Sequence, residues 1–280
     1  MKIGVSMFLS AQTDVNADTA LEHVLALGLR AEEIGLSGVW ATDSLGRGKP
    51  ALDPLIALAT LCGITRRIEL GTAVLQVTLR PAVELAHRVQ ALNVLSRGRL
   101  RLGVGVGSTR ADFEVAGAEF EHRFDRLEST VGAMRAAWRG KPAGAGTAAL
   151  SVWPGLEQGP QVLLGAWRKP ARITYAARHC DGWIASGMYS RWPDVEEGIR
   201  IFRAAQGRRA ILANVPIDLG ATSTLAPSTE GASISLICPP SMARDRLRRL
   251  EQLGFDDVLL ACPFGSATHL EMIAELARSL

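Results

Sequence analysis

The chain alternates between two hydrophobic periods. Short apolar, β-branched runs recur at residues 2–9 (KIGVSMFL), 38–43 (GVWATD), 67–75 (RIELGTAVL) and 99–106 (RLRLGVGV). Four more follow at 161–166 (QVLLGA), 182–186 (GWIAS), 209–217 (RAILANVPI) and 256–262 (DDVLLAC). They are continuous rather than alternating, as strands covered on both faces are. Stretches of helical period lie between them. Residues 18–35 place Ala20, Leu21, Val24, Leu25 and Ala31 on one side, with Asp18 as N-cap. Asp53-Pro54 is an N-cap followed by a first-turn proline, and Arg80-Pro81 opens a helix that runs to Ser96 and stops at Gly98. Phe124, Leu127, Val131, Met134 and Trp138 step by three and four, and further helices are expected at 170–180, 193–206, 240–254 and 267–279. Strand alternating with helix implies a parallel sheet in an α/β fold. Eight such units in 280 residues fit a closed (β/α)8 barrel better than an open doubly wound sheet, although spacing alone does not show closure. No boundary divides the chain, so one domain is expected over residues 1–280, with 140–155 and 220–233 as long surface connections.

Composition narrows the function. A hydrophobic fraction of 48% supports a large core, and no apolar stretch reaches the roughly 18 residues of a membrane helix. The N-terminus shows no leader pattern, so a soluble, cytoplasmic protein is expected, with no membrane partner. The net charge of +3 comes from interleaved charges and gives no reason to expect nucleic acid. Cys62, Cys180, Cys238 and Cys262 stand singly, which reads as buried thiols rather than disulfides or a metal site.

A barrel carries its site at the C-terminal ends of its strands. Here those ends are Phe8 and Ser10; Asp43 and Ser44; Ala73, Val74 and Gln76; Gly105, Gly107 and Ser108; Gly165, Ala166 and Trp167; Ser186 and Gly187; and Pro263. No nucleophile–base pair, lysine or metal-ligand cluster stands among them, so no catalytic residue is assigned. A mouth of small residues suits a flat cofactor that brings its own chemistry. The glycines of GRLRLGVGVGS (98–108) do not make a dinucleotide fingerprint, because the third position is Ser108 and the run follows the fourth strand. They read either as close packing or as bare backbone for a ring, and the second is favoured. Asp43 reads as a cap or salt bridge, or as a contact to that ring. The five histidines fall on helical stretches. Arg123 and Arg126 are expected to pair with Glu114, Glu119 or Glu128. Trp40 and Trp183 are expected in the core, and Trp167 and Trp192 are placed to wall a pocket.

The segment IELGTAVLQVTLRPAVELAHRVQALNVLSRGRLRLGVGVGS (68–108) resembles the centre of the luciferase-like monooxygenase family. LRAEEIGLSGVWATDS, FEHRFDRLESTVGAMRAAW, GPQVLLGAWRKPARITYAARHCDGWIASG and ARDRLRRLEQLGFDDVLLACP extend the resemblance over most of the chain. It implies a luciferase-like TIM barrel and a flavoprotein-type oxidoreductase using F420, with FMN as the alternative cofactor, on a small-molecule substrate. It further implies a non-proline cis peptide between Ala73 and Val74 behind the ring. Asp43, Gly105, Gly107 and Ser108 would line the ring, and Gly165, Ala166, Trp167 and Arg168 would hold the phosphate arm. Ser44 and Ser108 depart from the family, where some members carry a histidine and a glutamate; acid–base roles tied to those residues do not carry over. Val106 stands where FMN members often have an arginine, which favours F420. The activity implied is hydride transfer with F420 or oxygenation with reduced FMN. A non-catalytic cofactor-binding or partner subunit is the alternative of another class. Many members dimerise through the early helices, so a homodimer is also implied.

Overall fold

The computed structural model describes residues 1–10, 17–142, 147–220, 234–262 and 267–278. Pro263, residues 143–146 of the first long connection and 221–233 of the second lie outside these. The barrel strands are β1 (Lys2–Met7), β2 (Gly38–Ala41), β3 (Glu69–Thr72) with its continuation β4 (Leu75–Gln76), β5 (Leu100–Gly105), β6 (Gln161–Gly165), β7 (Gly182–Ser186), β8 (Arg209–Val215) and β11 (Asp257–Cys262). All pair in parallel in the order β3-β2-β1-β11-β8-β7-β6-β5-β4, and the pairing of β3 with β5 closes the ring. The closed TIM barrel replaces the open-sheet alternative. Outside it lie α1 (Ala17–Glu33), α2 (Pro54–Ile64), α3 (Ala82–Leu95), α5 (Arg123–Trp138), α6 (Pro170–His179), α7 (Trp192–Ala204), α8 (Pro240–Leu253) and α9 (Ala267–Arg278). Two features were not legible in the periodicity: the short helix α4 (Arg110–Ala116) and the two-residue strands β9 (Ile217–Asp218) and β10 (Leu236–Ile237).

Local chemistry explains the element ends. Asp53 accepts hydrogen bonds from the N–H groups of Leu55 and Ile56 at 2.9 and 3.1 Å, with Pro54 at the first helical position. Gly254, at φ 100°, ends α8 in the left-handed region that favours glycine. Asp18 lies inside the first turn of α1 rather than at its cap, and Leu21, placed on the apolar side, is exposed. On α5 the expected stripe is in place, with Leu127, Val131, Met134 and Trp138 buried.

The core has two parts. The larger lies between the strands and the helices. The smaller plugs the barrel interior with Trp40, Ala73, Leu163, Ile184, Ile211, Ala213 and Leu259, and Val74 rests on it. Gly71 makes room for Trp40, since a Cβ there would lie 2.3 Å from the indole. Trp192 is also buried, under Arg249, and does not wall the cavity described below. Burial pushes the Cys262 thiol up to about 12 and the Cys180 thiol up to about 11, and raises Cys62 and Cys238 as well. A thiol reagent at neutral pH is therefore expected to leave buried Cys62, Cys238 and Cys262 unlabelled until denaturant is added, and to label half-buried Cys180 only slowly. Prompt labelling of the folded chain would contradict this. Among the described residues no helix is long and apolar enough to cross a membrane.

Candidate active site

The C-terminal ends of the strands surround a cavity of about 480 Å³. Asp43, Ala73, Val74, Gly105, Gly107, Ser108, Gly165, Ala166, Trp167 and Arg168 all line it. It is thus built from the residues expected at the mouth, drawn from β2, the β3–β4 junction, β5 and β6.

A cis peptide bond joins Ala73 to Val74 and separates β3 from β4. The glycines beside it serve the close packing that was one of the two readings of them. A Cβ on Gly105 would meet Val74 Cγ2 at 2.4 Å, and one on Gly165 would meet Val74 Cγ1 at 2.9 Å. A Cβ on Gly103 would meet the Thr72 carbonyl at 1.9 Å, and one on Gly107 would meet Gln76 and Phe113. The missing side chains make room for the bulge and its neighbours. Val74 and the glycine backbone beside it both border the cavity.

Asp43 is buried, and it forms the salt bridge that was one reading of it. Its oxygens accept from the Arg80 guanidinium at 2.7 and 3.2 Å, and Oδ2 also accepts from the Gln76 N–H at 2.9 Å. It is a salt bridge on the cavity wall, and it ties β2 to the segment after the bulge. Among the described residues it is the one carboxylate lining the cavity. Behind it, fully buried Asp112 on α4 accepts from the N–H groups of Leu45 and Gly46, from Arg47 and from Gln76 Nε2. Burial alone would raise its pKa, but the bonds from Arg47, Gly46 and Gln76 outweigh it and hold the carboxyl below its ordinary range. Asp112 thereby fixes the loop that carries Ser44.

The opposite rim is cationic. Arg123 does not pair with a glutamate. Its guanidinium stacks on Phe120 at 3.6 Å and lies 4.6 Å from the Phe124 ring centre. Lys169 stands 4.6 Å from the same ring, and Arg172, paired with Glu128 at 2.6 Å, stands 5.7 Å away. Among the described residues no carboxylate lies within ion-pair distance of Arg123, Arg168 or Lys169. The expected partners were glutamates near in sequence, whereas the start of α5 faces the β6–α6 loop.

Sequence reasoning also missed Asn214. It sits in β8 at φ 57°, where the pairing with β11 slips register. Its Nδ2 donates to the Ala73 carbonyl at 3.4 Å. Asn214 Oδ1, Ser186 Oγ, Gln76 Oε1 and Arg123 Nε are buried without partners, and all four residues line the cavity. A positive φ at a strand end has no signature beyond the asparagine itself. None of the five histidines lines the cavity.

The sequence model of the luciferase-like monooxygenase family matches residues 1–232. An F420-dependent glucose-6-phosphate dehydrogenase of Amycolatopsis mediterranei is 36% identical over 119 residues, which are 39% of this chain and 35% of that protein. The protein of the same description from Kribbella flavida is 33% identical over 191 residues, 61% of this chain and 57% of its own length. This chain therefore spans less than two thirds of either relative. Among solved structures, the monooxygenase RslO1 of Streptomyces bottropensis superposes with a TM-score of 0.81 at 20% identity, covering 99% of this chain and 97% of its own. That likeness shows the shared barrel. With the family match over most of the sequence, the chain belongs to the luciferase-like monooxygenase family.

Proposed function

We propose that the chain is an oxidoreductase that binds F420, in preference to FMN, at the barrel mouth and transfers a hydride to or from a small organic molecule. The observation that carries this reading is the cavity, with Val74 on its floor and unpaired cations on its rim. The residues present fit a ring with a phosphate arm. Val74 offers an apolar face beside Gly105 and Gly165. Gly165, Ala166, Trp167, Arg168 and Lys169 lead into the N-terminus of α6, where free N–H groups and the helix dipole favour an anion. The unpartnered atoms of Ser186, Gln76 and Asn214 leave polar capacity for a heterocycle.

F420 is favoured by the F420 dependence of the two relatives and by Val106, an uncharged residue on the cavity wall. The bound cofactor would supply the redox chemistry. The chain's own part is to support the ring from behind with Val74, hold the phosphate with Arg168 and Lys169, and exclude water with Phe124, Leu127, Leu164 and Ile184. Exposed Leu21, Leu29 and Ile56 on α1 and α2 support a homodimer through these helices, and we place the enzyme in the cytoplasm.

Titration of the purified chain with each cofactor, followed by cofactor absorbance, tests the reading. F420 is expected to bind more tightly than FMN, and replacing Arg168 and Lys169 together by alanine is expected to weaken binding roughly tenfold. Tight FMN binding without affinity for F420 would replace it with an FMN monooxygenase. Binding of neither would remove it. Turnover by the isolated chain separates an enzyme from a partner subunit.

A further inference from the structure

Trp167 and Tyr189 come from different loops, after β6 and after β7, and stack with ring centres 4.6 Å apart and planes 25° from parallel. Both line the cavity. Both are nevertheless open to water, at 39% and 50% exposure, as is neighbouring Met188 at 37%. Other large exposed apolar side chains, such as Ile56, Leu95 and Val115, lie on outer helices. Here three are gathered at the edge of a concavity.

The backbones beneath the two rings are anchored. Ala166 donates to the Ile184 carbonyl at 3.1 Å, and its own carbonyl accepts from the Trp183 indole at 2.8 Å. Gly187 donates to Ala213 at 2.8 Å, and Ser190 donates to Ser186 at 3.0 Å. The pair is a held platform, two residues beyond the end of β6 and three beyond the end of β7. A half-exposed aromatic pair at a pocket rim buries its remaining apolar surface when a flat partner covers it.

We infer that Trp167 and Tyr189 form a substrate subsite, and that the substrate it takes is a planar aromatic molecule. This rests on the proposed function in placing the cofactor ring against Val74, which leaves the platform to the second reactant. The free outer face of a stacked ring pair selects a flat ring over a flexible aliphatic chain, because stacking is added to simple burial. The backbone of Trp167 belongs to the phosphate loop, while its ring belongs to the substrate.

Calorimetric titration with 2-naphthol and its saturated counterpart decahydro-2-naphthol tests the inference, on the chain with and without cofactor. The saturated probe is the more hydrophobic, so burial alone favours it. The expected result is tighter binding of 2-naphthol. Tyr189→Leu is expected to weaken it roughly 3- to 10-fold, while Tyr189→Phe restores affinity and Tyr189→Leu leaves cofactor affinity unchanged. Equal binding of the two probes, no binding of 2-naphthol, or full affinity in Tyr189→Leu would overturn the subsite. Loss of cofactor binding in Tyr189→Leu would also overturn it, by giving the platform to the cofactor. Refusal of both cofactors by the unaltered chain would overturn the proposed function instead, with the naphthol result still read on the cofactor-free chain.

Discussion

Replacing Arg209 by methionine is expected to destabilise the fold by about 3–5 kcal/mol, read as a fall in the urea midpoint. Arg209 opens β8 at the N-terminal end of the barrel. Its guanidinium donates to both oxygens of Asp257 at 2.7 and 2.8 Å, and to both oxygens of Glu69 at 3.2 and 2.8 Å. Arg101 donates to Glu69 from the other side at 3.0 Å. Four strands, β3, β5, β8 and β11, thus meet in one ion-pair plug. The Asp257 side chain is 2% exposed, and Arg209 and Glu69 are each 18% exposed. A methionine fills the space but leaves the Asp257 carboxylate without that partner, and an unpaired buried charge is the costly case. The sign of the pH dependence follows from Glu69. Burial pushes its pKa up, but Arg209 and Arg101 outweigh this and hold it below the ordinary range. A depressed carboxylate contributes stability above its unfolded pKa and loses it as pH falls through its folded pKa. The gap between wild type and Arg209→Met should therefore be widest near neutral pH and narrow in acid. A gap that stays constant with pH would contradict this assignment.

Gly103→Ala is expected to cost about 3 kcal/mol or more, whereas Gly105→Ala, two residues on, is expected to leave the fold standing. The difference lies in what each new methyl meets. At Gly103 it would sit 1.9 Å from the Thr72 carbonyl oxygen, and Thr72 Oγ1 already donates to the Gly103 carbonyl at 2.7 Å. Thr72 backbone on one side and the buried Ile184 side chain, 2.6 Å away on the other, leave the methyl little relief. At Gly105 the obstacle is the Val74 side chain at 2.4 Å, and Val74 borders the cavity, so it can turn into that space. Its movement would occupy the proposed ring position, lowering cofactor affinity roughly tenfold while thermal stability changes little. Two variants of similar stability would contradict this account of the glycines.

Those glycines also show how far the sequence could be read. Their place at the end of the fourth barrel strand followed from the periodicity of the runs around them. What fills the space beside them did not, because Val74 and Thr72 belong to another strand. The barrel was legible because each buried strand and amphipathic helix carries its own pattern. The ten residues expected around the cofactor, from Asp43 to Arg168, could be placed on the cavity because a barrel puts all strand ends on one face. The partners of those residues were not local. Arg80 meets Asp43 across neighbouring strands, Asp112 reaches the loop after β2 from α4, and Arg123 turns to Phe120 and the cavity instead of a glutamate on its own helix. The parallel register of β2 with β3 was the one available signal, since it brings the residues after Ala41 beside those after Thr72. Tyr189 and Met188 gave none, because a half-exposed aromatic in a loop has no periodicity.

On the proposed function, the strand ends hold a ring cofactor on Val74 with its phosphate at the β6–α6 loop. A crystal structure of the chain soaked with F420, and in parallel with FMN, tests it most directly. The predicted result is a ring against Val74 beside Gly105 and Gly165, with the phosphate at Arg168, Lys169 and the start of α6. A ring bound elsewhere, or a mouth still empty at saturating concentrations of both cofactors, would contradict it.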